Sequence, residues 1–138
     1  MLKNRIHDQQ EAGVHVRDKG KGNVDNNDIY HNGRAGVQVG TDGNPTVVRN
    51  RIYNGKWDGV AVHNGKGTFT TNEIYENKGA GVLVILGADP VIRGNSIRDG
   101  KETGLVVYFG ANATVEDNEI RGHARANVLI YSDGNPGA

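Results

Sequence analysis

The chain has 138 residues, among them 21 Gly, 16 Asn and no Cys, with 16 basic (Lys, Arg) and 16 acidic residues. The missing cysteine excludes disulfide frameworks, thiolate metal sites and cysteine nucleophiles, and the zero net charge removes the broad basic field that nucleic acid or acidic lipid requires. No stretch approaches the ~18 apolar residues of a membrane span, and the amino terminus, MLKNRIHDQQ, has no apolar signal core.

Three short apolar pieces then recur along the chain. The first unit carries Asn4-Arg5-Ile6 and Gly13-Val14-His15-Val16. The second opens at Val24, continues with Asn27-Asp28-Ile29 and reaches Gly36-Val37-Gln38-Val39. The Asn-x-Ile triplet returns at Asn50, Asn72, Asn95 and Asn118, so its spacings are 23, 23, 22, 23 and 23. Gly-aliphatic-x-aliphatic returns at Gly59, Gly81 and Gly104, with Asn127 in the sixth place. The third piece is marked by Val24, Val47, Phe69, Ile92 and Val115, with Met1 in the same phase. Asn32-Gly33, Asn44-Pro45, Asn54-Gly55 and Asp99-Gly100 mark turns.

Each piece alternates apolar and free positions, the period of a strand. Constant spacing places equivalent residues above one another, which a hairpin sandwich does not do. The sequence therefore predicts an all-β chain: a single-stranded parallel β-helix, or solenoid, of about six rungs of ~23 residues with three short strands per rung. A lone rung buries about four aliphatics, ~6–12 kcal/mol, against ~23–46 kcal/mol for ordering its backbone, so rungs fold only in company. The inward Asn series reads as an asparagine ladder along the rod. A longer period of about 46 residues shows in Pro45, Pro90 and Pro136, which occupy alternate rungs.

Outward positions carry the candidate sites. After each ladder Asn come Arg5, Asp28, Arg51, Glu73, Ser96 and Glu119, a column of charges whose signs alternate at first. Two residues further run His7, Tyr30, Tyr53, Tyr75, Arg98 and Arg121. Tyr30, Tyr53 and Tyr75 are candidates for stacking on sugar rings; the competing reading is an intramolecular aromatic and cation-π ladder. On the Gly-aliphatic strand the outward residues change character: His15, Arg17, Gln38, Gly40, Ala61 and His63 give way to Leu83, Ile85, Val106, Tyr108, Leu129 and Tyr131. The last six form a two-by-three apolar grid, which predicts an interface.

Catalytic constellations are weak. Carboxylates at glycosidase spacing arise anywhere on such a rod, and no insertion breaks the period to build a cleft. Gly122-His123-Ala124 approaches a Gly-His-Gly signature without the paired aspartates that accompany it. His15 and His63, two rungs apart at ~10 Å, are too far separated to share an ion. The Lys19-Gly20-Lys21-Gly22 and Gly65-Lys66-Gly67 tracts lack the signature of a phosphate loop. No enzyme activity, cofactor or metal site is predicted.

The units Asn4 to Asp8, Asn27 to Tyr30, Ala35 to Val39 and Asn44 to Ile52 resemble the right-handed parallel β-helix repeat family. The 46-residue alternation is most similar to the β-helix regions of F-box proteins. That resemblance implies a right-handed coil and, in the F-box relatives, a substrate-recognition surface of a ubiquitin ligase. This chain has neither room for an F-box nor the cysteines of the associated zinc finger. The resulting expectation is one domain over residues 1–138, without caps, whose ends stack on another chain or continue into a longer solenoid. Its function would be a noncatalytic, rigid surface for a protein partner or homo-oligomer, with carbohydrate binding as the alternative.

Overall fold

The structure is a computed structural model that describes residues 2–131; Met1 and Pro136, both part of the periodic pattern, lie outside the described residues. Among the described residues, seventeen strands of three or four residues coil as five triplets and a final pair. The first turn comprises β1 (Arg5–His7), β2 (Val14–Val16) and β3 (Asn23–Asp25), and the second β4 (Asp28–Tyr30), β5 (Val37–Val39) and β6 (Thr46–Val48). Next come β7 (Arg51–Tyr53), β8 (Val60–His63) and β9 (Thr68–Thr70), then β10 (Glu73–Tyr75), β11 (Val82–Ile85) and β12 (Val91–Arg93). The last are β13 (Ser96–Arg98), β14 (Leu105–Val107), β15 (Thr114–Glu116), β16 (Glu119–Arg121) and β17 (Val128–Ile130).

Every third strand pairs in parallel, giving three sheets: β1-β4-β7-β10-β13-β16, here the ladder sheet; β2-β5-β8-β11-β14-β17, the face sheet; and β3-β6-β9-β12-β15. The expected stacked solenoid with three strands per turn is what forms. Register follows the repeat, with Ile29 opposite Ile52 and Ile52 opposite Ile74. One inward side chain from the ladder sheet, two from the face sheet and one from the third sheet fill each turn. Ile52, Val60, Val62 and Phe69, all essentially fully buried, make one such layer.

The asparagine ladder is continuous. Asn27, Asn50, Asn72 and Asn95 are buried, and each backbone N–H and side-chain amide donates to the Oδ1 of the next Asn; for Asn50 to Asn72 the distances are 2.9 and 3.1 Å. The second amide hydrogen crosses the corner to the third sheet, as in Asn50 Nδ2 to the Val24 carbonyl at 2.8 Å. Each Asn thus satisfies a sharp corner whose backbone would otherwise be buried without partners.

The repeated glycines serve close approach. A Cβ on Gly59 would lie 2.5 Å from Ile74 Cγ2 and 2.7 Å from the Gly81 carbonyl, so the next turn leaves no space for a side chain. Left-handed backbone at the corners is carried mostly by polar residues such as Asn54, Asp99 and Glu76. In the Gly-aliphatic column it is therefore the turn stacked above, and not the corner, that selects glycine.

Candidate functional site

On the outer side of the ladder sheet the aromatic column packs on itself. His7 and Tyr30 stack at 4.8 Å between ring centroids, Tyr30 and Tyr53 at 5.2 Å, and Tyr53 and Tyr75 at 4.9 Å. The Arg98 guanidinium caps the series 4.3 Å above the Tyr75 ring. The faces of Tyr30, Tyr53 and Tyr75, the surfaces that would meet a sugar, are occupied by one another, leaving edges and hydroxyls outward. Burial raises the phenol pKa of Tyr53 and Tyr75, which keeps both neutral. Beside them, the alternating charges pair only in part: Arg51 Nε meets Asp28 Oδ1 at 2.5 Å, and this bond raises the Arg51 pKa. Glu73 turns instead to Arg98, 3.5 Å away.

The outward side of the face sheet is organised differently. Its register places Leu83 between Ala61 and Val106 and brings Leu129 next to Val106. Ile85 lies opposite His63. The six predicted interface residues are therefore contiguous over β11, β14 and β17. Leu83, Ile85, Val106, Tyr108 and Leu129 are half-buried and Tyr131 is 45% exposed. Tyr108 stacks on Phe109 at 3.8 Å and meets Tyr131 edge-on at 4.4 Å. Sequence reasoning missed Phe109 and Leu86, both exposed at the corner that follows the sheet; they occupy the place where the first turn has Asp18. The signal was present as one more column changing from polar to apolar.

The histidines separate. His15 belongs to the column of Gln38 and Ala61, whereas His63 follows Gly40 in the neighbouring one. Burial, and then the nearby His15, lower the His63 pKa. Among the described residues no group of three or more His, Asp or Glu side chains is placed to hold a metal ion. His123 serves the fold itself, because Gly100 N–H donates to its Nδ1 at 3.2 Å and its Nε2 faces the Ile97 carbonyl at 3.0 Å. Asn32 and Asn77 hold the same position in alternate turns. Asn77 Oδ1 accepts from Gly55 N–H at 2.9 Å and its Nδ2 donates to the Ile52 carbonyl at 3.2 Å; Asn32 does the same toward Gln9 and Ile6. This second ladder is spaced by two turns, as Pro45 and Pro90 are.

Asp58 is the one acid in a column otherwise formed by Ala12, Ala35, Ala80, Thr103 and Ala126. Its Oδ1 accepts from Ala80 N–H at 2.7 Å, and burial pushes its pKa up to about 6. Lysine takes no part in the ion pairs of the described residues, which all use Arg or His.

Stacked parallel turns, an inward Asn ladder and a 23-residue register together describe one architecture, and a family model described as "Right handed beta helix region" matches residues 1–137. The chain belongs to the right-handed beta helix family. Membership in the right-handed beta helix family sets the hand of the coil, which strand order alone does not state. No curated protein and no solved structure matches the chain. A right-handed beta helix hosts many chemistries, so function is argued from the surface.

Proposed function

We propose that the protein is a noncatalytic β-helix module whose face sheet is a rigid docking surface for a polypeptide partner. The observation that carries the reading is the coordinated change along two adjacent outward columns, from His15, Arg17, Gln38 and His63 to six contiguous apolar side chains at Leu83, Ile85, Val106, Tyr108, Leu129 and Tyr131. Scattered exposed apolar residues are ordinary; a grid on a flat, rigid sheet bordered by polar groups is the form of an interface. The similarity of the two-turn alternation to the β-helix regions of F-box proteins, which recognise substrates, supports the same role. Carbohydrate binding on the Tyr30, Tyr53 and Tyr75 column has less support, because those ring faces are already stacked.

The test is selection of a random peptide library on the immobilised protein, with Leu83→Lys/Val106→Lys as counter-target. Both positions point outward from the sheet, so the variant should keep its circular dichroism, with the melting temperature lowered slightly by the like charges on adjacent rungs. Enriched clones should bind the wild type and lose about tenfold or more on the variant. Clones that bind both proteins equally would remove this face from the reading.

A further inference from the structure

Sixteen non-glycine residues of the described chain have positive φ, and fourteen of them are polar or charged. The two exceptions are Leu86, at 57°, and Phe109, at 51°. Asn and Asp are favoured in this conformation because their side chains satisfy the local backbone, whereas Leu and Phe gain nothing there. Burial does not compensate, since Leu86 is 51% and Phe109 45% exposed. At the same corner the first turn has Asp18 and the third Asn64, both also at positive φ. A third column therefore turns apolar alongside the two on the sheet, against the local conformational preference. Strain retained at exposed apolar residues points to use.

These two side chains wall a groove of about 590 Å³ whose other side is formed by Gly40, Thr41, His63 and Asn64. Gly40 forms its floor: a Cβ there would come 3.2 Å from Arg17 Cβ and 3.4 Å from His15 Nε2. The groove runs along the rod from the second turn to the fifth, ~14 Å at the rung spacing, which about four extended residues span. One end is apolar. The other is polar, lined by Gln38, Thr41, His63 and Asn64 with no carboxylate among them, so hydrogen-bond donors and no like charge face an incoming acidic group there. The adjacent Asp18 is engaged by Arg17 at 3.5 Å.

We infer that the corner groove binds an extended segment of a partner protein, with aromatic or aliphatic side chains between Leu86 and Phe109 and an acidic residue toward His63. This rests on the docking reading of the face sheet and names the occupant. A second copy fits less well. Three rungs of a three-residue strand give a footprint well below the ~800 Å² per partner of a stable dimer, and a flat sheet facing a flat sheet does not reach around a corner.

Leu86→Asn/Phe109→Asn tests the inference without endangering the fold, since Asn suits the left-handed corner. Its melting temperature should equal or exceed that of the wild type. Peptide clones selected on the wild type should pair apolar residues with Asp or Glu within about four positions and lose about tenfold or more on this variant. His63→Glu should weaken the same clones through like charge. Clones that lose binding on Leu83→Lys/Val106→Lys yet bind the Asn variant fully would overturn the groove while leaving the face-sheet reading intact. A wild-type dimer in sedimentation that the Lys variant dissociates would overturn the segment in favour of a second copy. Enriched clones without the acidic residue, or unaffected by His63→Glu, would overturn the acidic end of the proposed segment.

Discussion

His123 replaces an amide with an imidazole in a position that Asn77 and Asn32 fill two and four turns earlier. Its partners fix the tautomer: a carbonyl can only accept, so Nε2 carries the hydrogen, and a backbone N–H can only donate, so Nδ1 is bare. Nitrogen-15 NMR should report that tautomer. His123→Asn is expected to be nearly neutral in chemical denaturation, while His123→Ala, which leaves Gly100 N–H and the Ile97 carbonyl unpaired, should cost about 1–3 kcal/mol. Asp58 acts in the opposite direction. Its folded pKa, about 6, lies above the ordinary value of 3.8, so the folded chain holds the extra proton between these values. The contribution of Asp58 to stability is most favourable below the lower value and falls as pH rises through this window. At neutral pH the buried charge opposes folding by about 3 kcal/mol, from the size of the shift. Asp58→Asn keeps an acceptor for Ala80 N–H and should raise stability at pH 7 by an amount of that order. The gain should shrink toward zero near pH 4 in urea melts run across the range. Cost at one residue within a uniform Ala and Thr column was readable from the sequence as an irregularity, but its sign required knowing that the column is buried.

Among elements, those set by the period are the ones that sequence reasoning located. Asn50 and Asn72 identify the ladder, and Ile52, Val60, Val62 and Phe69 identify the core, because stacking forces equivalent residues into one environment. The contiguous apolar grid over β11, β14 and β17 was legible for the same reason. Three features escaped. The second ladder uses Asn32, which read as a turn residue because Gly33 follows it, and Asn77, which no sequence pattern singled out because the position recurs only every second turn. Leu86 and Phe109 lie outside the alternating strand pattern, and what sets them apart is a backbone angle that composition does not display. The reason for glycine at Gly59 is likewise invisible in one strand, since the clash comes from Gly81 and Ile74 one turn later. Local chemistry announces a corner; a constraint that arrives from the adjacent turn needs the turns to be stacked first.

At the scale of the whole rod, the two ladders impose different units of length. The first repeats every turn, but the second pairs Gln9 with Asn32, Gly55 with Asn77 and Gly100 with His123. Removing residues 28–50, one turn, would keep the strand register yet leave the Gln9 backbone without its Asn partner. Removing residues 28–72, two turns, would set Gln9 beneath Asn77 and restore the pairing. The one-turn deletion is therefore expected to lose more stability per removed turn than the two-turn deletion; equal loss per turn in calorimetry would show that the second ladder contributes little. The ion pairs add a practical consequence. Guanidinium groups reach across one rung spacing, as Arg34 does to Glu11 and Arg93 to Glu116, and leave the amines of Lys3, Lys19, Lys21, Lys56, Lys66, Lys78 and Lys101 out of the ion pairs of the described residues. Those amines line corners and none lies on the outward columns of the face sheet. Acylating or tethering them would attach the rod to a solid support along its edges, with its apolar face presented to solution.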